Sequence, residues 1–473
     1  MTTDTMTENN NPANVLPCEF TNRMRERLGK GFGSFISSYT LPYTKALRIN
    51  TQKILPVDIA RMSRIFTGSE NPETVDWCTS GYYYEDHEPG KSVLHDLGAY
   101  YIQEASAMLP VTLLDINDSG QKVLDLCAAP GGKTTQIADL MNGRGLLVAN
   151  EIIPSRASIL SENIERMGVT NALVINEEPA ALSARFGGYF DRILVDAPCS
   201  GEGMFRKHPE ASQQWSLDNV KMCANRQDMI LDRAADMLND GGRIVYSTCT
   251  FSTEEDEGSI ERFLSRHPDF AVEKMHRIYP HTHKGEGHFA AVLTKITSAE
   301  TADCNYNSAS KTKNAEPLRF SKIPRERIML LNDFLKSTLS SGCKYRQQIT
   351  DDPGRLLAFG DNIYLVPEIM PDISGLKVLR AGLKLGSFKK MRFEPDHALS
   401  HALRYEDALC AVNLDSDSED AKKYITGLTL SCDASVKGWC LVCVEHLGLA
   451  WGKASGGVIK NHYPRGLRRN QVI

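Results

Sequence analysis

The chain has 473 residues, 41% hydrophobic and 24% charged, enough for two or three domains with their own cores. It has no apolar run of about eighteen residues, so no membrane-spanning helix is expected. Its net charge of −5 argues against indiscriminate polyanion binding while leaving room for a local basic face.

Taken in chain order, Met1 to Val15 is polar, without the apolar stretch of a signal peptide; it reads as a disordered tail over 1–15, and the cytosol is the expected compartment. Twelve scattered cysteines form no disulfide framework there, so any special thiol is a candidate nucleophile or ligand. Residues 16–112 mix a helical pattern (Phe20 to Leu28) with an extended segment, Lys45 to Asn50. Residues 113–296 alternate short apolar runs with helical stretches. Val123–Leu126, Gly145–Asn150, Ala172–Ile175, Arg192–Val195 and Arg243–Tyr246 predict buried parallel strands, and Thr134–Met141, Ser155–Met167 and Asn219–Leu238 predict helices. That alternation predicts a doubly wound α/β domain. Residues 297–317 are Ser-, Thr-, Asn-, Ala- and Lys-rich and read as a linker. Beyond it, 318–410 reads as a small α+β domain beginning with a helix over Arg325–Leu339, and 411–473 as a compact β domain.

Val123-Leu-Asp-Leu-Cys-Ala-Ala-Pro-Gly-Gly-Lys-Thr-Thr135 reads as a strand, a turn of small residues and a helix start, which lets backbone approach a ligand closely. A Walker A loop fails here, because the position that needs its first glycine is Cys127, and no G-x-G-x-x-G pattern is present. The next strand ends in Asn150-Glu151, and a carboxylate there suits the two hydroxyls of a ribose. A glycine turn alone is more often a packing turn; with that acid, a nucleoside cofactor is the better reading.

Two cysteines follow predicted strands at their carboxyl ends, in Asp196-Ala-Pro-Cys-Ser-Gly-Glu-Gly203 and Tyr246-Ser-Thr-Cys-Thr-Phe251. A buried cysteine is ordinarily an inert small hydrophobe, but both lie among small polar residues at the edge of the proposed cofactor crevice. With the Ala-Ala-Pro-Gly-Gly-Lys-Thr turn and Gly285-Glu-Gly-His-Phe289, these segments resemble the Nop/Sun family of RNA cytosine-5 methyltransferases. The resemblance covers about the first 295 residues in four motifs. Leu379–Gly386 and Trp451–Gly457 resemble its bacterial RsmF-type branch, whose members modify small-subunit ribosomal RNA; some relatives modify transfer RNA.

The resemblance implies a Rossmann-like core that uses S-adenosylmethionine, and a PUA-like RNA-binding domain at 411–473. It implies that Cys249 is the covalent nucleophile, that Cys199 helps release the product, and that Asp196 holds ring nitrogen 3 and the amino edge of the cytosine. Cys127, Ala128, Ala129, Pro130, Gly131, Gly132 and Lys133 would line the cofactor, with Lys133 meeting its carboxylate and Asp196 close by. Glu151 would take the ribose and Glu178 the adenine side, although Asn176-Glu-Glu-Pro179 does not by itself separate Glu177 from Glu178. Thr253 stands where relatives commonly have proline.

RNA is the expected partner, ribosomal first and transfer RNA as the alternative. A non-catalytic assembly factor has no need of both thiols. A DNA cytosine methyltransferase would instead use the Pro-Cys cysteine as its nucleophile. Candidate phosphate contacts are Arg23, Arg25, Arg27, Lys30 and Arg48 in the N-terminal region, and the acid-free runs Lys377–Arg392 and Lys453–Arg469; a charge run is more often only a solvated face. His281, His283 and His288 lack a ligand pattern. Cys440 and Cys443 sit at an odd offset on a predicted strand, facing opposite ways, so no metal site is expected. Tyr82 to Tyr84 read as packing aromatics.

Overall fold

Apolar runs such as Ala172–Ile175 are buried at every position, as strands covered on both faces must be. They lie in an eight-stranded sheet of the computed structural model, which describes residues 16–85, 87–117, 119–296 and 323–469. The expected tail (1–15) and linker (297–317) lie outside the described residues. We number the strands of this sheet β1 (Lys122–Asp125), β2 (Leu146–Asn150), β3 (Ala172–Ile175), β4 (Phe190–Asp196), β5 (Leu238–Thr248), β6 (Phe270–Ile278), β7 (His288–Lys295) and β8 (Val378–Ala381).

The spatial order is β6-β7-β5-β4-β1-β2-β3-β8. Strands β1 to β5 pair in parallel, while β6 and β7 extend the sheet antiparallel beyond β5. Helices Gly132–Leu140, Pro154–Arg166 and Leu217–Met237 supply the crossovers read from the sequence. The strand order reverses between β1 and β4, and in open α/β sheets ligands bind past the carboxyl ends of the strands at such a point. Apolar clusters cover both faces of the sheet.

A four-stranded antiparallel sheet precedes this domain; Ala46–Ile49 is one of its inner strands. Its tyrosines pack inward, Tyr83 donating its hydroxyl to the Lys284 carbonyl at 2.7 Å. A four-stranded and a five-stranded sheet follow. The last sheet does not stand apart: Leu47, Ile49 and Tyr100 share one apolar cluster with Tyr424, Val442 and Leu449. In this sheet Cys440 faces that cluster, and Cys443 faces the one beneath Phe334 and Phe393.

The sequence reading did not anticipate β8. It lies far along the chain from β7 yet pairs antiparallel with β3, Val378 opposite Ile175 and Ala381 opposite Leu173. Four residues ending at a glycine carry too little periodicity to announce a strand. Gly382 (φ 78°) donates its N–H to the Ala172 carbonyl at 2.8 Å, and a Cβ there would lie 2.5 Å from the Leu365 carbonyl oxygen.

Candidate active site

Strand β1 ends at Asp125, and the chain turns through Leu126–Gly131 into the helix beginning at Gly132. Gly131 has φ 116°, a backbone conformation that strains any L side chain, and a Cβ there would sit 3.2 Å from Leu160. The turn is held from four directions. Thr134 Oγ1 donates to Asp125 Oδ2 (2.7 Å), Ala128 N–H to the Asn150 carbonyl (2.9 Å), Arg156 to the Ala129 carbonyl (2.8 Å), and Asn163 Nδ2 to the Pro130 carbonyl (2.9 Å). Burial raises the carboxyl of Asp125 to about 7 and pushes the Cys127 thiol up, so Cys127 stays neutral.

Glu151, buried at the end of β2, accepts the Ile153 N–H at 2.9 Å and pairs with Arg156 at 3.2 Å. These bonds fix its carboxylate beside the turn. Past β3 the two adjacent glutamates part. Glu177 Oε1 accepts the Lys377 N–H at 2.7 Å, leading into β8, while Glu178 is exposed. Lys133 does not stand alone at the turn: its ammonium reaches Asp196 Oδ2 at 2.8 Å and so links the turn to the end of β4.

At the ends of β4 and β5 the two cysteine loops meet. Asp196 lies opposite Ser247 in the parallel register, and the sulfurs of Cys199 and Cys249 are 3.4 Å apart. The loops are sewn together by Ala197 N–H to the Ser247 carbonyl (2.9 Å), Gly203 N–H to the Cys249 carbonyl (2.8 Å), and Ser200 Oγ to Thr250 Oγ1 (2.8 Å). Its hydrogen bond with Cys249, then burial, push the Cys199 thiol well up, so Cys199 keeps its proton. Burial works to raise Asp196, but the Lys133 ammonium outweighs it and holds the carboxylate well below its usual range.

Sequence reasoning missed the buried carboxylates behind these loops. Glu202 accepts Trp215 Nε1–H (2.9 Å), the Phe251 N–H (2.9 Å) and the Ser252 hydroxyl (2.6 Å). Glu255 accepts the Ser200 N–H and Gln227 Nε2–H, both at 2.9 Å, and burial raises it to about 7. Asp256 accepts Thr248 Oγ1–H at 2.5 Å and pairs with Arg277 at 2.7 Å; burial raises it to about 7 against that cation. The signals were Glu202 within the first cysteine motif and the acidic run Glu254-Glu-Asp256 shortly after the second.

Several candidate phosphate contacts are corrected. Arg48 is fully buried, reaching Thr135 Oγ1 at 2.9 Å and Asp139 at 3.6 Å; it faces no solvent. Arg23 pairs with Glu254, and Arg27 donates to the Phe251 carbonyl at 2.6 Å and pairs with Glu257 at 2.8 Å, so both brace the second cysteine loop. Arg380 is buried against Glu165, and Arg469 pairs with Asp96 at 2.8 Å. Arg25, Lys30, Lys389, Lys390, Arg392, Lys453, Lys460 and Arg465 remain exposed. Lys453 lies over the half-buried Trp439 ring, which also packs against His462.

An open, mostly parallel sheet with a glycine turn after β1, an acid at the end of β2 and the two cysteine loops beyond β4 and β5 defines a Rossmann-like methyltransferase of the S-adenosylmethionine-dependent class. Comparison narrows this. Residues 111–294 match the family described as 16S rRNA methyltransferase RsmB/F, 16–105 the N-terminal domain of 16S rRNA methyltransferase RsmF, 334–403 the RsmF first C-terminal domain and 411–469 the RsmF PUA domain. Ribosomal RNA small subunit methyltransferase F of Shewanella piezotolerans is 30% identical and that of Shewanella oneidensis 32%; each match covers 93% of this chain and 94% of the relative. A methyltransferase homolog protein from Pyrococcus horikoshii superposes with a TM-score of 0.52 at 28% identity, over 59% of this chain and 95% of that one. The chain belongs to the RsmF family of methyltransferases.

Proposed function

We propose that this protein methylates carbon 5 of a cytosine in 16S ribosomal RNA through a covalent bond between Cys249 and carbon 6 of the base. The observation that carries this reading is the 3.4 Å approach of two thiols from separate loops, beside an acidic carboxylate at the mouth of the crevice.

S-adenosylmethionine supplies an electrophilic methyl group when bound. The residues present fit it: a turn whose Gly131 admits only glycine without strain, a helix start without a side-chain cap, and a buried acid, Glu151, directly past β2. Cys127 to Lys133 and Glu151 would hold it. Glu178 is the acid left for the adenine side, since Glu177 is engaged by Lys377.

Carbon 5 of cytosine is a poor nucleophile. When the Cys249 sulfur bonds to carbon 6, the ring electrons move to carbon 5 and make it reactive. Cys199, which keeps its proton, donates an S–H to its neighbour's sulfur and so assists its departure. Asp196, kept as an anion by the Lys133 ammonium beside it, accepts the exocyclic amino N–H of the base and steadies the charge that develops at that edge.

The relatives' description as small-subunit ribosomal RNA methyltransferases supports the substrate. We assign catalysis to residues 113–296 and RNA contact to 16–112 and 411–473, with 318–410 as a small α+β domain. The exposed cations from Lys389 to Arg392, and Lys453 beside Trp439, suit an RNA strand by charge and stacking. Bisulfite sequencing of 16S ribosomal RNA from cells with and without the gene tests the reading. One cytosine is expected to resist conversion only when the gene is present; identical patterns would reject it in favour of a non-catalytic role.

A further inference from the structure

Cytosine-5 methylation sheds a proton from carbon 5, and the group that takes it is not among those assigned above. The following rests on the reaction proposed above. A methyl group arriving on one face of the ring turns the carbon-5 hydrogen toward the other face, the one bonded to Cys249. The acceptor must therefore stand on the thiol side of the crevice. Asp196 is held well below the usual carboxylate range and is a weak base; Cys199 retains its own proton. Neither suits the task.

His288 does. Strand β7 runs antiparallel to β5, and their register ends with Phe289 opposite Thr248, the residue before Cys249; His288, the first residue of β7, therefore opens its strand beside the end of β5. The imidazole is buried, and its Nε2 stands 3.7 Å from Asp196 Oδ1, outside hydrogen-bond length. Among the described residues that nitrogen has no hydrogen-bond partner. Leaving a buried polar nitrogen unpaired is costly, and such exceptions concentrate where chemistry requires a free site. Burial and the Lys133 ammonium push its pKa down, against the pull of Asp196, so the ring is neutral and carries a lone pair.

We propose that His288 accepts the carbon-5 proton as the Cys249–carbon 6 bond breaks. The electrons of the C5–H bond form the C5–C6 double bond, and the pair of the S–C6 bond returns to the Cys249 sulfur. The imidazolium so formed lies against the Asp196 carboxylate and passes its proton to solvent.

The test uses RNA tritiated at carbon 5 of its cytosines with the full-length protein. The wild type releases one tritium per methyl group transferred. In His288→Asn, methyl transfer proceeds through a first turnover, but tritium release lags on the order of a hundredfold, and a methylated protein–RNA adduct survives denaturation. In His288→Gly, added imidazole restores tritium release, which repair of a folding defect would not do. Tritium release that keeps pace with methylation in both variants, with no adduct, overturns the proposal. Methylation by the wild type without any tritium release refutes the cytosine-5 reaction itself, and with it this role.

Discussion

Glu165 tests how the segment after residue 322 is fastened to the catalytic domain. It sits on the helix Pro154–Arg166, where it is bonded to Arg380 of β8 and to His397 Nδ1 at 3.1 Å. Burial works to raise its carboxyl, but the His397 hydrogen bond and the Arg380 charge outweigh this and lower it from 4.5 to about 2. A folded-state value below the unfolded one stabilises above pH 4.5, and the contribution is lost as pH falls from there through about 2. A gap of about 2.5 units at about 1.4 kcal/mol each amounts to about 3.5 kcal/mol, or about 3 kcal/mol once the partial exposure of Glu165 is discounted. Glu165→Gln keeps the volume and removes the charge. Urea unfolding followed by circular dichroism should show it less stable than wild type by about 3 kcal/mol at pH 7, with the difference shrinking as pH falls below 4.5. A difference under about 1 kcal/mol at pH 7, within the range of an exposed pair, or one that stays constant on acidification, would refute the reasoning.

Glu202→Ala leaves three donors around the cysteine loops without their acceptor, at about 1–3 kcal/mol each. Lower urea resistance together with reduced kcat is expected; unchanged values in both would show that the loops do not depend on it. Replacing Lys389, Lys390 and Arg392 together by alanine should weaken RNA binding and flatten the salt dependence of log Kd by about 2, at about 0.7 per single-strand phosphate contact. An unchanged slope removes Lys389, Lys390 and Arg392 from the RNA surface. Arg48→Ala should leave the slope intact and lower stability, because it strands the buried Asp139 carboxylate without its cation; a changed slope would reverse the correction made above.

The catalytic core was legible because parallel strands buried on both faces write themselves as apolar runs. Ala172–Ile175 is found with the bounds read from the sequence, and the helix at Pro154–Arg166 is offset by one residue at each end. Its fold class followed from the alternation of those runs with helical stretches, and the family from the resemblance of four short motifs. What stayed hidden is whatever depends on distant chain segments meeting. A short strand such as β8 has no period of its own. Charged residues read as surface until a partner is known, so Arg48, Arg380 and Arg469 passed for phosphate contacts, and Glu202, Glu255 and Asp256 were overlooked. His288 was set aside for lack of a ligand pattern, because nothing local reveals its approach to Asp196.

The covalent step is tested most directly by incubating Cys199→Ser and Cys249→Ser proteins with RNA and S-adenosylmethionine and resolving the products under denaturing conditions. A protein–RNA species that survives denaturation is expected with Cys199→Ser, and neither that species nor methylated RNA with Cys249→Ser. Methylation by Cys249→Ser, with no trapped species from Cys199→Ser, would contradict the account.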